Sequence, residues 1–147
     1  MEKYNRRRLK ACAVFLCAFS YAVFADSRAS PSDCPSHDFP HFLSAFSEHV
    51  DAQERYIGFP LEKQHLDKSA EPEPKLVVER LPASQVALPV MPSNSERTAR
   101  TLSLSTAMID ENNAKVFLMK ADTDFQVIYF FRKDACWSLY RIEDWSL

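Results

Sequence analysis

Residues 115–147 read KVFLMKADTDFQVIYFFRKDACWSLYRIEDWSL. Three segments of that run, Lys115 to Lys120, Phe125 to Arg132 and Cys136 to Ile142, are rich in the aromatic and β-branched residues that suit strands. The breaks between them are short. Asp122-Thr123-Asp124 fills the first and Lys133-Asp134 the second, and Asp and Thr side chains bond their own backbone in tight turns. Such loops join antiparallel neighbours, because a parallel return needs a crossover of about a dozen residues. The spacing therefore predicts a three-stranded C-terminal meander. In its middle strand Val127, Tyr129 and Phe131 face one way and Ile128 and Phe130 the other. A strand apolar on both faces belongs in the middle of its sheet and asks for a covering layer. On the last strand Trp137 and Leu139 share one face, Tyr140 and Ile142 the other, and Arg141, Glu143 and Asp144 lead back to water.

The cover lies upstream. Asp38 reads as an N-cap with Pro40 in the first turn, and Phe39, Phe42, Leu43, Phe46 and Val50 recur at the spacing of one helical face, ending near Asp51. Gln53 to Leu61 reads as a strand with Arg55, Ile57, Phe59 and Leu61 on one face and Tyr56 on the other. Gly58, the only glycine, suggests a bulge or a close backbone approach, and Pro60 suggests an edge or an end. Glu62 to Lys75, charged and carrying Pro72 and Pro74, reads as an exposed loop. Leu76-Val77-Val78 and Val86-Ala87-Leu88 are short strand candidates cut by prolines. Arg100 to Ile109 fits a further strand with Leu102 and Leu104 inward, although Ser95 to Thr101 also fits a short helix, and Asn112-Asn113 is a turn. The fold class that follows is α+β: an N-terminal helix packed on a curved antiparallel sheet ending in the three-stranded meander.

Residues 1–25 stand apart. A basic start (Lys3, Arg6, Arg7, Arg8, Lys10), fourteen mostly apolar residues from Ala11 to Phe24, and small residues at Ala22 and Ala25 give the pattern of a secretory signal peptide cleaved before Asp26. The apolar run is shorter than the roughly 20 residues a spanning helix needs. The expected division is a signal peptide at 1–25, a flexible lead-in at 26–37 and one α+β domain at 38–147, with the mature chain periplasmic or extracellular and without a membrane span. The leader carries five basic residues and one acidic, so the mature chain holds 13 basic against 19 acidic, a net charge of −6. That balance opposes nucleic acid as a partner. Cys12 and Cys17 leave with the leader. Cys34 and Cys136 then form the one possible intramolecular disulfide, two free thiols or an intermolecular bridge being the alternatives.

The order Phe39-x-x-Phe42-Leu43-x-x-Phe46, then Gln53-x-Arg55-x-x-x-Phe59-Pro60-Leu61, then Trp137-x-Leu139 resembles a family of secreted bacterial proteins of unknown function. The resemblance implies a cystatin-like, or nuclear-transport-factor-like, α+β cone. It covers about two thirds of the mature chain, at its two ends, and rests on core residues, so it implies a fold and no activity.

One glycine excludes phosphate loops, dinucleotide fingerprints and nucleophile elbows, each of which needs several. His37, His41 and His49 gather around the first helix, but His37 precedes the cap and no glutamate stands between His37 and His41, so a solvated helix start is the reading preferred over a metal site. A cone can enclose a pocket. Arg55, Tyr56, Trp137 and Tyr140 are its candidate ligand-binding residues, with Glu143 or Asp144 placed to pair with Arg55, and no catalytic set, metal or cofactor is expected. The function expected is a non-catalytic binding or interaction module with a protein or small-molecule partner. The alternative is a small isomerase or hydrolase working in the cone.

Overall fold

The computed structural model describes residues 34–147; the leader and most of the lead-in lie outside the described residues. Asp38 opens α1 (Phe39–Glu48), its carboxylate accepting the His41 amide at 3.3 Å, with Pro40 in the first turn where a missing N–H is no loss. Phe39, Phe42, Leu43 and Phe46 are buried as their spacing requires. Extended backbone at His49 then breaks the helix, so Val50 begins a second one, α2 (Val50–Tyr56), and is 48% exposed instead of continuing the apolar stripe.

α2 replaces the first half of the strand expected over Gln53 to Leu61. Ala52, Gln53, Glu54 and Arg55 favour helix, with Asp51 in the first turn and Arg55 in the last complementing the dipole. β1 begins only at Ile57 and runs to Asp67, past Pro60 and into the segment expected to be a loop. It pairs antiparallel with β2 (Lys75–Leu81) from Leu61↔Leu81 to Asp67↔Lys75, which leaves only residues 68–74 as the connection. Nor is β1 an edge. It lies between β2 and the last strand, β6, and Pro60 is tolerated because the β1–β6 ladder is interrupted between Ile57 and Glu62, where proline has no bond to donate. Gly58 falls in that interruption, the bulge its identity suggested rather than a close approach, since a Cβ there would meet the Leu139 carbonyl oxygen at an ordinary 3.4 Å.

Residues 82–93 cross the sheet irregularly. A 3-10 turn at Ala83–Gln85 precedes Val86-Ala87-Leu88, which form no strand. α3 (Asn94–Ala99) follows, opened by a capping box between Ser93 and Glu96 and coinciding with the short helix weighed for Ser95 to Thr101. β3 (Leu102–Asp110), β4 (Asn113–Lys120), β5 (Gln126–Lys133) and β6 (Trp137–Asp144) complete a curved, unclosed sheet of order β2-β1-β6-β5-β4-β3. The meander β4-β5-β6 is antiparallel throughout, and β1 meets β6 in parallel. The chain is thus α+β, with the helices covering one face of the sheet.

One face assignment changes. Phe131 pairs with Leu139 and Phe130 with Arg141, so a single step on β5 spans two on β6 and Tyr140 is a bulged extra residue. Ile142 therefore joins Trp137 and Leu139 on the core face instead of sharing one with Tyr140. On that face α1 lays its aromatics against β5 and β6: Phe39 to Trp137 at 4.8 Å, Phe46 to Phe131 at 5.2 Å and Phe39 to Phe131 at 5.4 Å between centroids. The Cys34–Cys136 disulfide ties the start of the helical layer to the head of β6, across a sequence separation of 102. Beside it the Trp137 indole N–H and the Lys133 ammonium both donate to the His37 carbonyl, at 3.1 and 2.9 Å.

Candidate functional site

In a cone of this shape a ligand would sit between the helices and the inner face of the sheet. Here the chain itself occupies that space. Gln53, 1% exposed on α2, accepts the Val90 amide at 2.7 Å and the Met91 amide at 3.1 Å and donates to the Met91 carbonyl at 2.8 Å. Tyr129 on β5 donates its hydroxyl to the Val90 carbonyl at 3.0 Å, and Met91 is fully buried. Burial, reinforced by the nearby Asp144 carboxylate, pushes the Tyr129 phenol up, well above the usual tyrosine range. It is a neutral donor fixed on backbone.

A hollow of about 310 Å³ remains between this segment and the β1–β6–β5 face, with Lys63, Gln85, Tyr129 and Asp144 as its polar lining. His65 and Glu79 continue that face along β1 and β2, His65 Nδ1 lying 3.8 Å from Glu79 Oε2 and His65 beside Asp144 in the ladder. These residues have the acid and base types of a small enzyme. Their hydroxyl member, however, is already committed to the plug.

The four residues singled out from the sequence do not converge. Trp137 is a core residue at 1% exposure, and Tyr140 projects from its bulge onto the outer face. Arg55 and Tyr56 belong to α2 rather than to a strand, and line a separate hollow with Pro35, His49 and Asp51. Tyr56 also sets its ring edge-on to Phe42 at 5.6 Å. Helical placement turns Arg55 to solvent, and Glu143 is held by Arg141 at 3.3 Å instead. His41 is taken up by Asp38, Nδ1 to Oδ2 at 2.6 Å, a hydrogen bond that holds the Asp38 carboxyl below its ordinary range.

Among the described residues, no helix covers the outer face. Phe130 is nonetheless 3% exposed, because the Arg141 guanidinium stacks 3.8 Å above its ring and the Lys115 ammonium lies 5.0 Å away. This explains how β5 can be apolar on both sides: cationic side chains make the second layer. At the centre of this face the interrupted stretch of β1 and the Tyr140 bulge of β6 lie side by side. They frame a depression of about 250 Å³ lined by Gly58, Phe59, Pro60, Glu62, Arg80, Arg132 and Tyr140. Periodicity could not reveal it, since both bulges break the alternation from which faces are read.

The architecture is that of the nuclear-transport-factor-2-like (NTF2-like) fold. The chain superimposes on the crystal structure of an NTF2-like protein from Bacteroides fragilis with a TM-score of 0.55 and 23% identity, over 75% of this chain and 47% of that one. It spans about half the length of the protein it matches, and the likeness is one of fold. No protein-family model matches the sequence, and no curated protein does.

Proposed function

We propose that this chain is an exported, non-catalytic binding module, one of a group of secreted bacterial proteins with this cone, acting through the outer face of its sheet. The observation that carries the reading is the plug: Gln53 and Tyr129 hold Val90 and Met91 in the space a cone ligand would need. Meanwhile an aromatic and cationic sheet face is left uncovered by the described residues. Large uncovered faces with apolar content mark interaction sites. Export is supported by the leader pattern of residues 1–25 and by a disulfide, the bond that persists in oxidising compartments. Among the described residues no helix is long and apolar enough to cross a membrane.

Two measurements test it. The mature protein recovered from its own cells should begin at Asp26 and weigh two hydrogens less than the reduced chain. In hydrogen exchange, the Val90 and Met91 amides should open only with global unfolding, whatever is added. A ligand that released these two amides, or protected them beyond its gain in global stability, would make the cone a working pocket and overturn the reading.

A further inference from the structure

We infer that the two-bulge depression on the outer face binds a one-ring aromatic carboxylate; the inference rests on the outer-face reading above and names the chemistry of that face. Its walls are the Phe59 ring, 43% exposed, and the Tyr140 ring. An exposed phenylalanine beside an open hollow offers a ring face that a second ring can cover. Arg132 and Arg80 stand at its rim. Besides the Tyr140 ring, Arg132 has a long 3.8 Å contact to Asp134, with both side chains more than half exposed, so its planar fork can exchange partners. The same guanidinium lies 5.5 Å from the Tyr140 centroid, stacked where it can follow an incoming ring.

The charge around the site selects an anion. Glu62 is the one carboxylate in the lining, and it accepts from the Gln64 amide at 2.9 Å while sitting in the ladder between Arg80 and Arg141. Arg141 pairs with Glu143, and Lys115 continues the same face over Phe130. Arg80, Arg132, Arg141 and Lys115 therefore face three carboxylates, Glu62, Glu143 and the Asp134 beside the Arg132 guanidinium, a local surplus of one positive charge. A volume of about 250 Å³ admits a single ring with a short acid arm. The rigid part of the site is backbone-built. Both irregularities are flanked by paired ladder residues, Ile57↔Leu139 and Glu62↔Arg141 on one side and Phe130↔Arg141 and Phe131↔Leu139 on the other, which set the backbone around the site.

The test is a titration of the oxidised mature protein with phenylacetate, followed residue by residue by amide chemical shifts. Saturable shifts are expected around Phe59, Arg80, Arg132 and Tyr140, at an affinity on the order of millimolar. Phenylacetamide, which has the same ring without the charge, should bind about tenfold more weakly. R132M and R80M, both at exposed positions, should each weaken phenylacetate by about tenfold with the thermal midpoint unchanged. Equal binding of acid and amide would overturn the inference, as would indifference to both substitutions. Concentration-dependent shifts of the outer face without ligand would show a second copy covering it, and would also overturn it. Shifts at Lys63, Tyr129 and Val90 instead would sink the outer-face reading itself. Silence at both sites with the plug amides still protected would sink this inference alone.

Discussion

Replacing Gln53 by alanine removes one side chain and strands three backbone groups: the Val90 and Met91 amides and the Met91 carbonyl. A buried group deprived of its partner costs about 1–3 kcal/mol. Val90 is half-buried and recovers part of its bond from water, so the loss works out at about 3–5 kcal/mol. Set against a native stability of about 5–15 kcal/mol, that is a large fraction. With a urea dependence of about 1.5 kcal/mol per molar, the midpoint should fall by about 2 M or more in a two-state titration followed by tryptophan fluorescence. Gln53→Glu separates the bonds. Its carboxylate still accepts both amides, but only its protonated form can donate to the Met91 carbonyl. Burial and this donated bond raise the folded pKa above the unfolded one, so the stability of Gln53→Glu relative to the wild type should be greatest at low pH and decline as pH rises from the ordinary glutamate range through the raised value. A loss in Gln53→Ala below about 1 kcal/mol, with Val90 and Met91 exchange unchanged, would refute the idea that Gln53 holds the plug.

Reducing the disulfide, or making the C34S/C136S double variant, should cost about 4–5 kcal/mol by the chain-entropy model for a loop of this length, measured as the shift in urea midpoint. Tyr129 should be missing from the tyrosine titration seen at 295 nm in folded protein. Its folded pKa lies above the unfolded value, so its contribution is complete below about pH 10 and declines as pH rises beyond it; Y129F should flatten that decline. R141M removes the guanidinium over Phe130 and should lower stability by about 1 kcal/mol, beyond the small effect of its contact with Glu143. The Asp38 carboxyl, held low by His41, contributes stability above the ordinary aspartate range that is lost as pH falls through it. D38N should blunt the acid limb of the unfolding curve.

The meander and α1 were legible because their burial is periodic: Phe39, Phe42, Leu43 and Phe46 repeat as a helix face, and Val127, Tyr129 and Phe131 as a strand face. The disulfide was legible from elimination among four cysteines. What escaped is what periodicity does not encode. Val50–Tyr56 is too short for a helical pattern, and it is fixed by one buried polar residue, Gln53, whose partners lie 37 and 38 residues away. β2 showed only as its apolar part, Leu76-Val77-Val78, and the second half of β1 was hidden because Lys63 and His65 stand inward there and Glu62 and Gln64 outward, leaving no apolar face to read. Of the site, single residues such as Tyr140 and Phe59 could be read, but not their meeting, which depends on two adjacent ladder irregularities.

The sheet order also fixes a timetable. β1 and β2 form one flank, β3 to β5 the other, and the only strand touching both is β6, the last of the six to be made. Until residues 137–144 are in place, the two flanks have no common ladder and α1 has no Trp137 or Leu139 to rest on. Contacts of such long sequence separation close late and slowly. Synthesis must therefore pass residue 144 before a native core exists, and cutting β6 away would remove the middle of the sheet, leaving a β1–β2 hairpin and a separate three-stranded β3–β4–β5 piece in place of a trimmed domain.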